Sequence, residues 1–181
     1  MPTTEDARRV LALVDARRAT LGPGRLVCID GPAGSGKTTF AAAIHRLRPC
    51  RVVHMDDLYA GWDGLGAVHA QLATLVAPLA RGETGRHRRW DWQAGDWAEE
   101  VAVAPSPLLV LEGVGSAAPV AARQATAIVW VEAAHDVRRA RALARDGDDF
   151  APYWDAWAAA EAEHFERHRT REIADLVLDL S

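Results

Sequence analysis

Asparagine is absent from this chain, and of its 21 strongly basic residues one, Lys37, is a lysine while the rest are arginines. Two cysteines are too few for a disulfide framework. Cys28 and Cys50 lie in or beside apolar, strand-like runs, where a free thiol behaves as a small buried hydrophobe. The seven histidines show no metal-ligand spacing. No run approaches the ~20 apolar residues that cross a bilayer, and the opening MPTTEDARRV lacks the apolar core of a signal peptide. A cytoplasmic location away from membranes is therefore expected. The net charge of -4 and a pI near 6.0 exclude the basic surface of a general nucleic-acid binder, so any anionic partner must be met locally.

What is present is ordinary globular composition, with 49% hydrophobic and 25% charged residues over 181 positions, enough for one domain spanning 1–181. Thr3 and Asp6 resemble a helix cap ahead of the stripe Val10, Leu11 and Val14. RLVCID (25–30) reads as a buried strand, TTFAAAIHRL as a helix, RVVHM (51–55) as a second strand and 67–81 as an apolar helix. Residues 82–97 turn polar, basic and aromatic, which suggests an excursion over a site. PLLVLEG (107–113), AIVWVE (127–132) and ADLVLDL give three more strands, with helices near 135–145 and 153–170 between them. Consecutive apolar residues in strands that alternate with helices call for an α/β fold with a parallel sheet covered on both faces.

GPAGSGKTT (31–39) sits between the first strand and its helix and satisfies G-x-x-x-x-G-K-[ST] in full. Such a turn directs backbone N–H groups of Gly31, Ala33, Gly34, Ser35, Gly36, Lys37, Thr38 and Thr39 at phosphate oxygens. The helix behind it adds its positive end. Lys37 is expected to bridge the β- and γ-phosphates of ATP, and the Thr38 hydroxyl to hold Mg²⁺. A Ras-type GTPase would read guanine through N-K-x-D, which a chain without asparagine cannot contain.

Asp56 and Asp57 follow the second strand at the edge where open α/β sheets bind ligands. A carboxylate there can take the proton of an attacking hydroxyl, or it can simply cap a turn. Glu112 closes the very apolar third strand, where an acid orients Mg²⁺ or its water shell.

With these motifs the chain resembles the uridine kinase-like branch of P-loop small-molecule kinases, of nucleoside monophosphate kinase-type fold, over nearly everything after residue 24. GPAGSGKTT is similar to that family's nucleotide turn, MDDLY to its Asp-x-x-Tyr stretch, RRWDWQAGDW to its Tyr-Asp-Phe segment, LEGV to its Glu-Gly, and DVRRARALARD to its lid helix. The resemblance implies a three-layer P-loop NTPase sandwich with a five-stranded parallel sheet in the order 2-3-1-4-5. It implies Asp56 as general base, and Tyr59 with the segment around Trp90, Asp91 and Trp92 lining the pocket of a small, nucleoside-like hydroxyl acceptor. The family's uracil-contacting histidine has no counterpart, since Gly95 stands at the nearest matching position.

Arg138, Arg141 and Arg145 share one helical face in a lid region at 138–152, with Arg141 and Arg145 matching the lid arginines best and Arg139 facing away. Were Arg88 or Arg89 to face the pocket, the acceptor would already carry a phosphate and the chain would be a monophosphate kinase. An ATP-binding regulatory protein without a working acceptor pocket is the reading from another class. Trp154, Trp157, Glu161 and Phe165 recur at helical spacing and read as packing. Arg169 or Arg171 precedes the last strand, where this fold meets adenine. The oligomeric state is open.

Overall fold

The computed structural model describes residues 3–181, with Asp148 given by its backbone alone. Helix α1 (Thr4–Ala16) begins at the Thr3–Asp6 capping box. Strand β1 (Arg25–Asp30) is followed by helix α2 (Lys37–Leu47), strand β2 (Arg51–His54), a 3-10 turn at Met55–Asp57, and helix α3 (Val68–Ala80). Strands β3 (Gly85–Asp91) and β4 (Asp96–Val103) precede β5 (Leu108–Glu112), the short helix α4 (Pro119–Ala122) and β6 (Ala127–Glu132). Helices α5 (His135–Asp146), α6 (Trp154–His168) and α7 (Thr170–Ile173) lead to β7 (Leu176–Asp179).

The main sheet is parallel, in the order β2-β5-β1-β6-β7. Counting only its own strands in chain order, this is 2-3-1-4-5, the arrangement expected above. Neighbouring residues in each strand serve opposite faces. Leu26, Cys28, Leu109 and Leu111 pack with Leu72, Leu75, Trp154 and Trp157 on one side. Val27, Ile29, Val110 and Val129 pack with Val10, Val14, Phe40 and Ile44 on the other. Two apolar cores separated by one sheet explain why these strands carry no polar alternation. Burial pushes the Cys28 thiol far above its ordinary range, as befits a packing residue.

The stretch read as an excursion at 82–97 is an antiparallel hairpin whose second strand runs on to Val103. Val103 enters the core beneath α3, and the Arg88 N–H donates to Gln71 Oε1 at 3.1 Å, so the hairpin is fastened to that helix. Gly85 is required there, because a Cβ would meet the Leu75 carbonyl oxygen at 2.2 Å.

One buried histidine gives the fold a pH signature. His164 on α6 is 6% exposed, and its Nε2 has no hydrogen-bond partner among the described residues. Burial, then the neighbouring His168, His69 and Arg167, lower its pKa from 6.5 to about 4. The unfolded chain takes up that proton first as pH falls, so stability is lost from about pH 6.5 down to about pH 4, by about 3 kcal/mol in all. Asp30 works in the opposite sense, because its raised pKa lets the folded chain take up a proton earlier than the unfolded one. His164→Leu removes only the histidine component. In urea unfolding at pH 7 and pH 4.5, the native chain should lose more stability than the variant; equal losses would refute this.

Candidate active site

The parallel sheet brings the carboxyl ends of β1, β2 and β5 side by side, and the chemistry-bearing residues follow from that register. Ile29 pairs with Glu112 across β1 and β5, and His54 pairs with Glu112 across β2 and β5. The phosphate-type turn leaves β1 and enters α2 through Gly31, Gly34 and Gly36, with φ of 136°, 76° and 104°. At Gly34 a side chain is excluded twice, by this dihedral and by the Arg138 carbonyl oxygen 2.2 Å from a Cβ position. Gly36 caps α2 without any side-chain hydrogen bond, so the first-turn N–H groups of that helix stay available. The Ser35 hydroxyl is fully buried and has no partner among the described residues.

Lys37 is 7% exposed, and its Nζ donates to the Pro32 carbonyl oxygen at 2.9 Å. Burial lowers its pKa, opposed by the charges of Glu112, Glu161, Asp30 and Asp56. A buried ammonium ringed by carboxylates and held by one carbonyl is an unfinished arrangement that an anion would complete. Thr38 Oγ1 donates to Glu112 Oε1 at 3.1 Å, and the same oxygen lies 2.5 Å from His54 Nδ1. That contact with Glu112 raises the His54 pKa despite partial burial. Thr38 and Glu112, both expected near a metal, are thus in direct contact.

Asp56 stands at the edge of the cleft, enclosed by protein yet reachable by solvent. Desolvation and then Glu112 push its pKa up, while Arg145, Lys37 and His54 pull it down. The hairpin reaches this point through Trp92, whose indole N–H donates to the Asp56 carbonyl oxygen at 3.0 Å. Trp92 also meets Trp62, with ring centroids 4.7 Å apart. Trp62 stacks on Phe150 at 4.8 Å and on Tyr153 at 4.9 Å, joining the loop after Asp56, the hairpin and the segment after α5 in one aromatic cluster.

Several expected site residues are spent elsewhere. Tyr59 is 1% exposed, donates its hydroxyl to the Val114 carbonyl and packs edge-on against Trp157, so it belongs to the core and not to a pocket wall. Asp91 accepts the Gln93 and Ala94 N–H groups at 3.0 Å each and shapes the hairpin turn. Arg89 pairs with Glu99 at 2.9 and 3.0 Å, and Trp90 lies edge-on to Trp97 within the hairpin. Arg88 lies over the Trp97 ring at 5.5 Å. Arg169 ends α6 with a left-handed φ of 53° and pairs with Glu172 on the exposed surface, and Arg171 is tied to Glu132.

The arginine face of α5 divides along its length. Arg145 pairs with Asp146, and its charge acts on Asp56 and Glu112. Arg141 donates to the Leu180 carbonyl oxygen at 2.8 Å, beside the Gly36 end of the turn. Arg138 turns inward to the Ala33 carbonyl oxygen and to Glu161 Oε1, both at 3.1 Å. The Ala33 N–H donates to Glu161 Oε2 at 2.8 Å, so that amide is taken by protein and is not offered to phosphate as expected. Asp30 is wholly buried and gathers the N–H groups of Gly31, Gly115 and Ala117 at 2.8, 2.8 and 2.9 Å, so the Gly31 amide too is taken by protein and is not offered to phosphate as expected. Burial lifts its pKa to about 6 against those bonds. His54, Trp62, Asp30 and Glu161 were not singled out for the site from the sequence. Only the buried acids carried a signal, each a carboxylate in an otherwise apolar run.

No family model and no curated protein matches the chain. Two of the solved structures that share its fold serve for comparison. One is a protein of Silicibacter sp. TM1040 provisionally described as a fructose transport system kinase, with 21% identity and a TM-score of 0.68, and 98% of each chain covered. The other is a protein of Bacillus stearothermophilus provisionally described as a uridine kinase, with 20% identity and a TM-score of 0.63, and 97% of this chain and 98% of that one covered. At these identities the likeness is one of fold. No helix among the described residues is long and apolar enough to cross a membrane.

Proposed function

We propose that this chain is an ATP-dependent kinase that phosphorylates a hydroxyl of a small molecule bearing a planar, uncharged portion, nucleoside-like in character. The observation that carries this reading is the solvent-reachable Asp56 carboxylate, set among Lys37, His54, Glu112 and Arg145 with Trp92 bonded to its backbone. The kinase fold supports it.

The residues present fit a magnesium-bound nucleotide. The orphaned Ser35 hydroxyl, the uncapped start of α2 and the buried Lys37 ammonium all call for an anion, and Thr38 with Glu112 forms a hard-oxygen pair suited to Mg²⁺. The metal, when bound, neutralises charge on the phosphates. Gly34, Ser35, Gly36, Lys37, Thr38 and Thr39 hold the phosphates, with Lys37 as the point charge. Asp56 takes the proton from the acceptor hydroxyl as that oxygen attacks. Arg145 offsets the negative charge that accumulates on the acceptor side. Trp92, which is exposed and backed by Trp62, offers a flat apolar surface to the acceptor. The protein is read as one kinase domain whose hairpin forms the acceptor side and whose 138–152 segment closes over it.

Arg88 and Arg89 are engaged within the hairpin, which weighs against an acceptor that already carries a phosphate. The test is ADP formation from ATP and Mg²⁺ in the presence of pooled nucleosides, nucleotides and other hydroxyl metabolites. Acceptor-stimulated ADP release is expected from unphosphorylated ring-bearing compounds and not from nucleotides. ATP binding without stimulation by any pool would instead identify a nucleotide-binding regulator.

A further inference from the structure

Glu161 lies in the middle of α6, 3% exposed, in a buried stripe with Trp154, Trp157 and His164. A buried carboxylate is costly there, and an apolar residue of similar volume would serve packing at least as well. Its two oxygens are divided between two partners. Oε2 accepts the Ala33 N–H at 2.8 Å, and Oε1 accepts from Arg138 Nη1 at 3.1 Å. The same Nη1 donates to the Ala33 carbonyl oxygen at 3.1 Å, and Arg138 Nε donates to the Ala133 carbonyl oxygen at 3.2 Å. Arg138 is itself mostly buried and lies over the Trp154 ring. Two successive peptide planes of the phosphate-type turn, 32–33 and 33–34, are therefore gripped by side chains from α6 and α5.

This grip has a directional consequence. In a trans peptide the C=O and the following N–H point opposite ways, so holding the Ala33 carbonyl outward on Arg138 turns the Gly34 N–H to the other side of that plane. The Gly34 N–H has no protein acceptor among the described residues, and it follows the positive-φ geometry that only glycine tolerates here. Arg138 also lies in the first turn of α5, the helix that carries Arg141 and Arg145, so the same pair fixes the root of that helix against the turn.

We infer that Glu161, acting through Arg138, is a positioning residue that braces the Ala33–Gly34 segment and sets the Gly34 amide for phosphate. It rests on the nucleotide-binding reading above and deepens it by naming what holds the turn in shape. Arg138 has a second task, since it neutralises Glu161, whose charge would otherwise repel an incoming polyphosphate.

Glu161→Gln preserves shape but offers one acceptor oxygen where two are used, and its amide confronts a donor. Calorimetry with ATP and Mg²⁺, without any acceptor, should show binding weakened roughly tenfold in Glu161→Gln and in Arg138→Lys, which keeps charge but loses the fork. The KM for ATP should rise by a larger factor than kcat falls. Hydrogen exchange over residues 31–36 without nucleotide should accelerate in both variants while the global unfolding transition stays in place. A folded variant with native ATP affinity and native exchange would overturn the brace. If the native chain bound no ATP, the proposed function would fail, and the exchange experiment would still decide for or against the brace. Should Glu161→Gln not fold, Arg138→Lys carries the same readouts.

Discussion

Asp56→Asn is expected to bind ATP like the native chain and to transfer its phosphoryl group roughly 10²–10⁴-fold more slowly, the range associated with loss of a positioned general base. Asparagine keeps the volume and the backbone carbonyl that Trp92 bonds, so the acceptor side stays assembled and only the proton acceptor is lost. The environment of Asp56 adds a pH signature. Desolvation and Glu112 raise its pKa from 3.8, so the native enzyme should lose kcat/KM as pH falls through a value above the ordinary aspartate range. The carboxylate is the active form, and protonation removes it. Initial rates with a working acceptor across pH 4 to 8 should show this acidic limb in the native enzyme and not in the variant. Turnover unchanged in Asp56→Asn would take Asp56 out of the mechanism.

Lys37→Arg should be nearly as damaging, although it conserves charge in a chain that uses arginine everywhere else. The ammonium is buried and reaches the Pro32 carbonyl within its own turn. A planar guanidinium is broader and carries donors on three nitrogens, so it cannot sit there without moving the loop. The loop has little freedom to move: Gly31 and Gly34 lie so close to the Val131 and Arg138 carbonyl oxygens that a Cβ would overlap them at 2.0 and 2.2 Å. Loss of ATP affinity together with a roughly 10²–10³-fold fall in single-turnover rate is expected, the scale of removing one charge-stabilising donor. Calorimetric binding and rapid-quench transfer measure the two parts separately. A native rate in Lys37→Arg would mean that charge alone, regardless of shape, is what this position supplies.

The contrast between these residues and the misassigned ones shows where sequence stops being informative. The placement of Lys37, Thr38 and Glu112 side by side is legible because it follows from strand register and from the spacing of the turn. Tyr59 lies three residues beyond Asp56, and nothing in MDDLY tells whether its hydroxyl faces a ligand or the Val114 carbonyl. Asp91 between two tryptophans suggests a pocket-lining acid, yet in the fold its carboxylate accepts two N–H groups of a short hairpin turn. Trp62, in a glycine-punctuated loop, gains meaning only when Trp92, Phe150 and Tyr153 converge on it from distant parts of the chain.

The sequence by itself determined the layer architecture and the phosphate-type turn, because apolar periodicity and glycine spacing are local properties that the backbone obeys wherever the chain folds; the strand order was implied by the resemblance alone. Tertiary structure alone decided which polar side chains face the cleft. Glu161 and Ala33 are 128 residues apart, and Arg138 reaches both; a helical stripe reveals which face of α6 is buried but not what that face will meet. A buried carboxylate must find donors to be tolerated, and only the packed fold shows that one of them is an N–H of the phosphate-type turn and the other the Arg138 guanidinium.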